Sequence, residues 1–246
     1  MRLLSSLPTV SGLVLLSIAI TAPGASAQDI FITPVPNAPF SGIVNVERSR
    51  VQSDGSVVRL KTIWDIARDT RGRIHNESRT LVPASSTETP KLVSIHLYDP
   101  QTRISTFLNA QERTFSTQTV NHPPSTVPPA LRYASPMGDG LPQNEFTKEE
   151  DLGIHDIDGV PAHGVRETQT IPAENSGTDT GKEIVIADEY WYSEDLRINL
   201  MIRHSDPRTG TITMTVTQVT HTDPDASLFE IPDGYKSGRA EPGTNQ

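Results

Sequence analysis

The sequence predicts a mainly β protein built on one curved antiparallel sheet with few short helices. After residue 27 the chain is a series of short β-type runs, and turn sequences such as Asp54-Gly55 and Asp158-Gly159 separate them. No window after residue 27 carries an apolar stripe at helical spacing. With 246 residues, of which 35% are hydrophobic, the chain is long enough to bury a sizeable core.

The first 27 residues have the order of a secretory signal peptide. Arg2 precedes an apolar run from Leu13 to Ile20, and Ala25-Ser26-Ala27 forms an A-x-A cleavage site. A retained N-terminal anchor is the less favoured alternative, because spanning a bilayer takes about 20 apolar residues. We therefore predict a periplasmic or secreted protein with no transmembrane segment after cleavage.

The rest of the chain is predicted to form one domain between two irregular ends. Residues 28–39 contain three prolines and predict an extended lead-in, residues 40–236 form the β-rich domain, and residues 237–246 form a flexible tail. A proline-rich segment at 121–150 is predicted to be a long irregular connection within the sheet. A division into two domains at this segment is the alternative.

Predicted strands follow each other along the domain, with turn residues between them. They cover 43–52, 57–67, 73–81, 92–98, 103–109, 113–120, 152–157, 160–171, 182–192, 197–204 and 211–220. The last of these alternates strictly until Val219 breaks the pattern, which predicts a β-bulge. Residues 224–228 are predicted to form one helical turn capped by Asp223.

The loop between the first two strands decides which side chains share a face. Leu60, Trp64 and Ile66 have one parity in the second strand. A two-residue loop would place polar residues opposite them, whereas a loop of three or five residues would place Val44 and Val46 there. Burial of apolar side chains favours the odd-numbered loop.

Composition excludes several classes of function. The net charge of −9 argues against a general nucleic-acid binder, which needs a basic surface. The absence of cysteine excludes disulfides, thiol catalysis, thiolate metal sites and a lipid-modified cysteine. The sequence also lacks a nucleophile elbow and a phosphate-binding glycine loop, so we predict no catalytic residue and no cofactor.

The segment from His155 to His163 is the densest group of potential metal ligands. If Asp158-Gly159 is a two-residue turn, His155 lies opposite Ala162, and the two histidines face opposite sides of the sheet. In that register Asp156 is diagonal to His163 and able to pair with it, whereas an odd-numbered loop would bring the histidines to one face. The segment also lacks an HExxH-type spacing, so we predict no metal site and interpret it as a solvated hairpin tip.

The few large aromatic residues point to one candidate binding surface. On a curved sheet, Trp64 and Trp191 would line a concave apolar cavity together with neighbouring strand residues. The candidate ligand-binding residues are Leu60, Trp64, Ile66, Trp191 and Met214. An ordinary hydrophobic core is the alternative, because large aromatic side chains are mostly buried for packing.

The second half of the chain resembles two groups of exported proteins. The segments 157–166, 191–196 and 223–232 are similar to motifs of an uncharacterised family of exported bacterial proteins. More distantly, Gly159, Trp191-Tyr192-Ser193 and the closing Phe229 to Pro232 resemble the periplasmic lipoprotein-carrier (LolA-like) superfamily. The distant resemblance implies an open half-barrel that holds acyl chains, although the long helices of those carriers are missing here.

These observations favour a non-enzymatic exported binding protein. The ligand would be an acyl chain, an envelope lipid or a lipoprotein held on the apolar concave face of the sheet. Two other classes remain as alternatives: a structural or protein-interaction module of the cell envelope, with an envelope protein as partner, and a hydrolase of unknown substrate.

Overall fold

One large open, curved β-sheet dominates the computed structural model, which describes residue 30 and residues 32–121, 144–177 and 181–238. The described strands are β1 (Phe40–Val51), β2 (Val57–Arg68), β3 (Ile74–Arg79), β4 (Val82–Pro83), β5 (Leu92–Asp99), β6 (Ile104–Asn109), β7 (Thr114–Thr119), β8 (Thr147–Ile157), β9 (Val160–Ile171), β10 (Ile184–Ser193), β11 (Ile198–Asp206), β12 (Gly210–Thr220) and β13 (Lys236–Ser237). Two 3₁₀ turns, Ala173–Asn175 and Ala226–Phe229, are the helical elements of this part of the chain. The predicted fold class is confirmed.

The strand order places β1 and β12 side by side near the middle of the sheet. The order is β13-β7-β6-β5-β3-β2-β1-β12-β11-β10-β9-β8, and the short β4 pairs with β2 beside β3. All pairs are antiparallel except β13 with β7. Because β12 returns to lie beside β1, the sheet consists of a β1–β7 half and a β8–β12 half that meet along the β1–β12 pair.

The register of the first hairpin confirms the odd-numbered loop. Val51 pairs with Val57, so five residues form the loop, and Val44 lies opposite Trp64. Side chains alternate along strands and pair across them. We call the side of the sheet that carries Val44, Trp64 and Met214 the inner face, and the opposite side the outer face.

The β8–β9 hairpin has the two-residue turn that was predicted. Ile157 pairs with Val160, and both turn residues have positive φ (53° at Asp158 and 81° at Gly159), as such a turn requires. The expected pairing of Asp156 with His163 is wrong. A register shift near Gly153 instead brings Asp151 Oδ1 to 2.7 Å from His163 Nε2.

Two other local predictions need adjustment. The turn at Ala226–Phe229 is capped by Asp225, whose Oδ1 accepts from Ser227 N–H, while the expected cap Asp223 accepts from Thr70 N–H. Strand β8 begins at Thr147, earlier than the predicted start at 152. The predicted bulge at Val219 is confirmed, because the β1–β12 register shifts there and Gln218 has a φ of 53°.

The buried apolar residues form two clusters on opposite faces. The larger cluster is centred on the inner face of the central strands and includes Phe40, Val44 and Val216, each 0% exposed, together with Ile30 and Ile32 of the lead-in. It also extends to Trp191 of β10. The smaller cluster comprises Ile95, Leu97 and Leu108, with Leu92, Phe115 and Tyr235 around them. The sheet therefore buries its inner face at the centre and its outer face at the β5–β7 edge.

Several predictions lie outside the described residues. They are the signal peptide, most of the 121–150 segment and most of the tail, so the domain boundaries remain predictions. Of the described residues, no helix has both the length and the apolar character that a membrane crossing needs.

Candidate ligand-binding face

Aromatic side chains gather on the inner face where the central core ends and β3, β5 and β6 begin. Ile66, Asn76, His96 and Phe107 form one row across four strands, because each is the direct partner of the next. Trp64 is two residues before Ile66, and Tyr98 is two residues after His96, so both share this face. We call Trp64, Asn76, His96, Tyr98 and Phe107 the aromatic surface.

The rings of the aromatic surface are ordered and only partly covered. The rings of His96 and Phe107 stack with their centroids 4.4 Å apart and 9° between their planes. Phe107 is nevertheless 45% exposed, which is unusual for a large apolar side chain that already packs against a neighbour. Phe107 also lines a groove of about 290 Å³ that runs along β5, β6 and β7.

The aromatic surface is uncharged at neutral pH. Burial lowers the pKa of His96, and the ring is fixed by a 2.7 Å hydrogen bond between Nε2 and Ser105 Oγ. Burial raises the pKa of the Tyr98 phenol, which therefore stays protonated. A neutral aromatic floor of this kind favours contact with apolar or uncharged groups of a ligand.

Three buried polar atoms of this surface have no hydrogen-bond partner among the described residues. They are Trp64 Nε1, Asn76 Oδ1 and the Tyr98 hydroxyl. Each unpaired buried polar group costs about 1–3 kcal/mol, and native proteins retain few of them. The set consists of two donors and one acceptor whose hydrogen-bonding capacity is unused among the described residues.

The structure separates the residues predicted to bind a ligand. Ile66 and Met214 are buried in the central cluster (1% and 3% exposed), and Trp64 packs at its margin. Leu60 lies farther along β2, beside a groove formed mostly by outer-face residues. Only Trp64 and Ile66 therefore adjoin the aromatic surface.

Trp191 does not share the inner face, because its neighbour Tyr190 does. Tyr190 pairs with Ile202, which continues to Met214, whereas Trp191 pairs with Gly164. The indole packs directly on Gly164, where an added Cβ would approach Trp191 Cζ3 to 2.7 Å, and its Nε1 donates to Glu189 Oε1. Trp191 is nevertheless a buried member of the central cluster, at whose margin Trp64 packs.

Sequence reasoning missed Asn76, His96, Tyr98 and Phe107. The parity of the strands 92–98 and 103–109 could have identified His96, Tyr98 and Phe107 as same-face residues once the strands were paired. The pairing itself could not be derived, because β3 intervenes between β2 and β5.

Metal binding has no support in the described region. The two-residue turn places His155 opposite Ala162 and separates it from His163, as the sequence predicted. Within the residues that the structure describes, no three histidine or carboxylate side chains are grouped as metal ligands.

No family model and no curated protein matches this chain. Solved structures are similar to it at low sequence identity. The Pseudomonas aeruginosa MucA/MucB complex matches with 11% identity over 78% of this chain and 55% of that chain, at a TM-score of 0.38. The Mycobacterium tuberculosis lipoprotein LppX matches with 12% identity over 75% and 88% of the two chains, at a TM-score of 0.32.

A third similar structure is the LolA superfamily protein NE2245 from Nitrosomonas europaea, with 10% identity over 79% of this chain and 91% of that chain, at a TM-score of 0.31. This chain spans little more than half the length of the MucB-complex chain. At these scores the similarities carry no statement about ligand or partner. One of these similar structures is thus named as a member of the LolA superfamily, which the sequence motifs also resemble.

Proposed function

We propose that this chain is a non-enzymatic binding protein of the bacterial cell envelope, periplasmic or secreted, which holds an acyl-bearing lipid or lipoprotein on its inner face. The observation that carries the proposal is the set of unpartnered polar atoms on Trp64, Asn76 and Tyr98 beside an apolar core. An acyl amide would supply all three partners, since its carbonyl accepts from Trp64 Nε1–H and the Tyr98 hydroxyl and its N–H donates to Asn76 Oδ1, whereas an acyl ester would supply only the carbonyl acceptor.

The apolar part of the ligand would lie along the stacked rings of His96 and Phe107. Burial of an alkyl chain contributes about 0.8 kcal/mol per CH₂ group, so a short covered stretch is enough for a stable complex. The exposed part of Phe107 and the adjoining groove would let the alkyl chain of the ligand extend away from the packed core. The ligand therefore adjoins the core residue Ile66 without displacing it.

The proposal is tested by purifying the full chain from the periplasm without detergent and analysing it by native mass spectrometry. We expect a bound acyl lipid, and after delipidation we expect the protein to bind a fluorescent fatty acid. If the protein neither co-purifies with a lipid nor binds the fatty acid after delipidation, the proposal is refuted.

Tyr98→Phe locates the site, and Tyr235→Phe is the matched control because Tyr235 packs against the cluster on the other face. Tyr98→Phe is expected to weaken lipid binding by roughly fivefold, which corresponds to one hydrogen bond of about 1 kcal/mol. The control is expected to bind as the wild type does. Equal losses in both variants would place the ligand elsewhere.

A further inference from the structure

We propose a second, independent binding site on the outer face, for a ligand that carries phosphate groups. A groove of about 580 Å³ crosses the outer face of β11, β12, β1 and β2. Its volume falls within the range of 300–1,000 Å³ that is typical of small-molecule sites. It lies on the opposite side of the sheet from the aromatic surface, so it does not depend on the proposed lipid site.

Two cross-strand rows build the floor of this groove. Arg203, Thr213, Glu47 and Lys61 form one row in which each residue pairs with the next. The next row contains Thr211, Ser49 and Arg59 in the same way. Because β-sheet registers fix both rows, the cationic side chains project from positions that the fold determines and not from a loop.

The groove is positive in a protein that is negative overall. It is lined by Arg48, Arg59, Lys61 and Arg203 against the one carboxylate of Glu47, while the whole chain has a net charge of −9. Arg59 and Arg203 are exposed and Lys61 is half-buried. None of these cations belongs to an ion pair among the described residues, where other arginines such as Arg73, Arg79, Arg166 and Arg208 do.

The contrast with Arg166 shows why the cations of the groove are available. Glu189 of β10 pairs with Arg203 and extends the first row, and Arg166 of β9 pairs with Glu189 on its other side. The Arg166 guanidinium lies 3.1 Å from Glu189 and 3.4 Å from Glu150. Arg203 is also the direct cross-strand partner of Glu189, but that carboxylate is engaged by Arg166 and by Trp191 Nε1. Arg203 therefore faces the groove without a carboxylate partner.

The residue types and their spacing favour a phosphorylated ligand. Arginine forks bind phosphate oxygens in bidentate fashion, and the hydroxyl of Thr213 between the cations adds a donor. Lys61 and Arg203 are three strands apart, which is about 14 Å between their Cα atoms at the usual strand spacing. This separation suits a ligand with two or more phosphate groups, either free in solution or as the head groups of an anionic lipid surface.

The test uses the full chain, inorganic pyrophosphate and lipid vesicles. We expect pyrophosphate to bind in calorimetry at an ionic strength of about 0.1 M, where charges more than about 10 Å apart are largely screened. The variant R59Q/K61Q/R203Q is expected to bind at least roughly tenfold more weakly, a loss of about 1.4 kcal/mol. The matched control R103Q/R113Q/K148Q removes the same charge at exposed positions outside the groove. It is expected to stay within about twofold of the wild type, because salt screens distant charges.

Glu47→Gln gives the opposite change in the same groove. It removes the one carboxylate from the floor and is expected to strengthen pyrophosphate binding several-fold, whereas Glu112→Gln at an exposed distant position is expected to leave it unchanged. This gain cannot arise from misfolding, so it tests the site even if the triple variant is unstable.

Vesicle sedimentation distinguishes the two sources of phosphate. Binding to phosphatidylglycerol but not to phosphatidylcholine vesicles, with loss in the groove variant, would identify a lipid head group, and binding of pyrophosphate alone would identify a soluble ligand. Binding of neither probe, or an equal loss in the control triple variant, would overturn the proposal. Tyr98→Phe is expected to bind pyrophosphate as the wild type does. The phosphate site and the lipid site are therefore tested separately, and failure of one proposal does not affect the other.

Discussion

Arg68 is a fully buried cation that organises the inner face through backbone carbonyls. Its guanidinium donates to Thr33 O at 2.7 Å, Ala38 O at 2.8 Å and Leu196 O at 2.6 Å, and lies 5.0 Å from the centre of the Phe40 ring. Burial lowers its pKa to about 10, so the side chain remains charged at neutral pH. One residue thus joins the lead-in to the β10–β11 turn.

Replacement of Arg68 by Met is expected to destabilise the fold by more than about 3 kcal/mol, because three carbonyls lose a charged donor in a dry environment. Urea unfolding would measure this loss. Arg71→Met is the control, since the side chain of Arg71 is 54% exposed and its ion pair with Asp69 contributes less than about 1 kcal/mol. Similar losses in both variants would mean that the Arg68 contacts contribute little.

His204 gives the inner face a pH dependence of known sign. Its Nδ1 lies 2.8 Å from Asp188 Oδ1, and this hydrogen bond, with the nearby charge of Asp206, raises the histidine pKa above its usual value of 6.5. A raised pKa in the folded state means that the stabilisation is fully present below the unfolded pKa. It is lost as the pH rises through the folded pKa.

His204→Gln is therefore expected to reduce the free energy of unfolding mainly at acidic pH, by less than about 1 kcal/mol because the pair is partly exposed. The difference from the wild type should shrink as the pH rises above the folded pKa. Urea unfolding between pH 5 and pH 9 checks this dependence on both sides of the unfolded value. His221→Gln, at an exposed histidine, is the control, and an equal trend there would refute the assignment to the Asp188 pair.

At the scale of elements, the β8–β9 hairpin is tied to the bulge of β12. The bulge at Gln218 leaves Val219 N–H outside the regular ladder, and Asp158 Oδ2 in the hairpin turn accepts from it at 2.8 Å. The turn and the bulge lie far apart in the chain and on strands that are not neighbours in the sheet. One side chain therefore fixes how the β8–β9 end of the sheet approaches the centre.

Asp158→Ala is expected to lower the free energy of unfolding by about 1–2 kcal/mol, because Val219 N–H loses its acceptor and Ala is less tolerant of positive φ. Asp158→Asn keeps an acceptor oxygen and the preference for this conformation, so a loss of less than half that size is expected. Thermal unfolding of the two variants measures the difference. If Asn were as harmful as Ala, the contribution would come from charge and not from the hydrogen bond.

How far the sequence predicted the structure depends on whether local or distant contacts decide a feature. The parity of Val44 and Val46 against Trp64 was enough to predict an odd-numbered loop, although not whether it has three or five residues. Asp158-Gly159 was enough to predict its turn, because both features depend on neighbouring residues. The partner of His163 was missed because a bulge near Gly153 moves the register by one position. Periodicity in a single strand carries no sign of such a shift.

The candidate site was predicted only in part for a related reason. Trp64 and Ile66 belong to a strand whose buried parity is visible in the sequence, and they adjoin the aromatic surface. Trp191 was placed with them because of its size, although the register puts Tyr190 on that face instead. The pairing of β3 between β2 and β5, which brings Asn76 and His96 to Ile66, is a long-range feature that the sequence pattern does not contain.

At the scale of the whole molecule, the segment that follows β12 packs on the β1–β7 half of the sheet and stabilises it through contacts with several strands. Asp223 accepts from Thr70 N–H at 2.8 Å, His75 Nδ1 lies 2.7 Å from Leu228 O, and the Arg73 guanidinium lies 4.7 Å from the centre of the Phe229 ring. Tyr235 then packs against the outer-face cluster, and β13 adds to the edge of β7. We call residues 223–238 the closing segment.

Phe229→Ala and Tyr235→Ala are expected to weaken the β5–β7 part of the sheet selectively, because the small cluster there depends on the closing segment for cover. We expect a loss of about 2–4 kcal/mol at Tyr235, which packs against the small cluster, and less at Phe229, which contacts Arg73 outside that cluster. Hydrogen exchange should become faster in β5, β6 and β7 while β1 and β10–β12 keep their protection, since regions of low stability open separately.

Leu81→Ala, at an exposed apolar residue outside both clusters, is the control for these two variants and should change neither half of the sheet. A uniform loss of protection over all strands in Tyr235→Ala would contradict the division. It would mean that the two clusters on opposite faces unfold as one cooperative unit. The pairing of β2, β3 and β5 would then couple the stability of the central core to that of the β5–β7 edge.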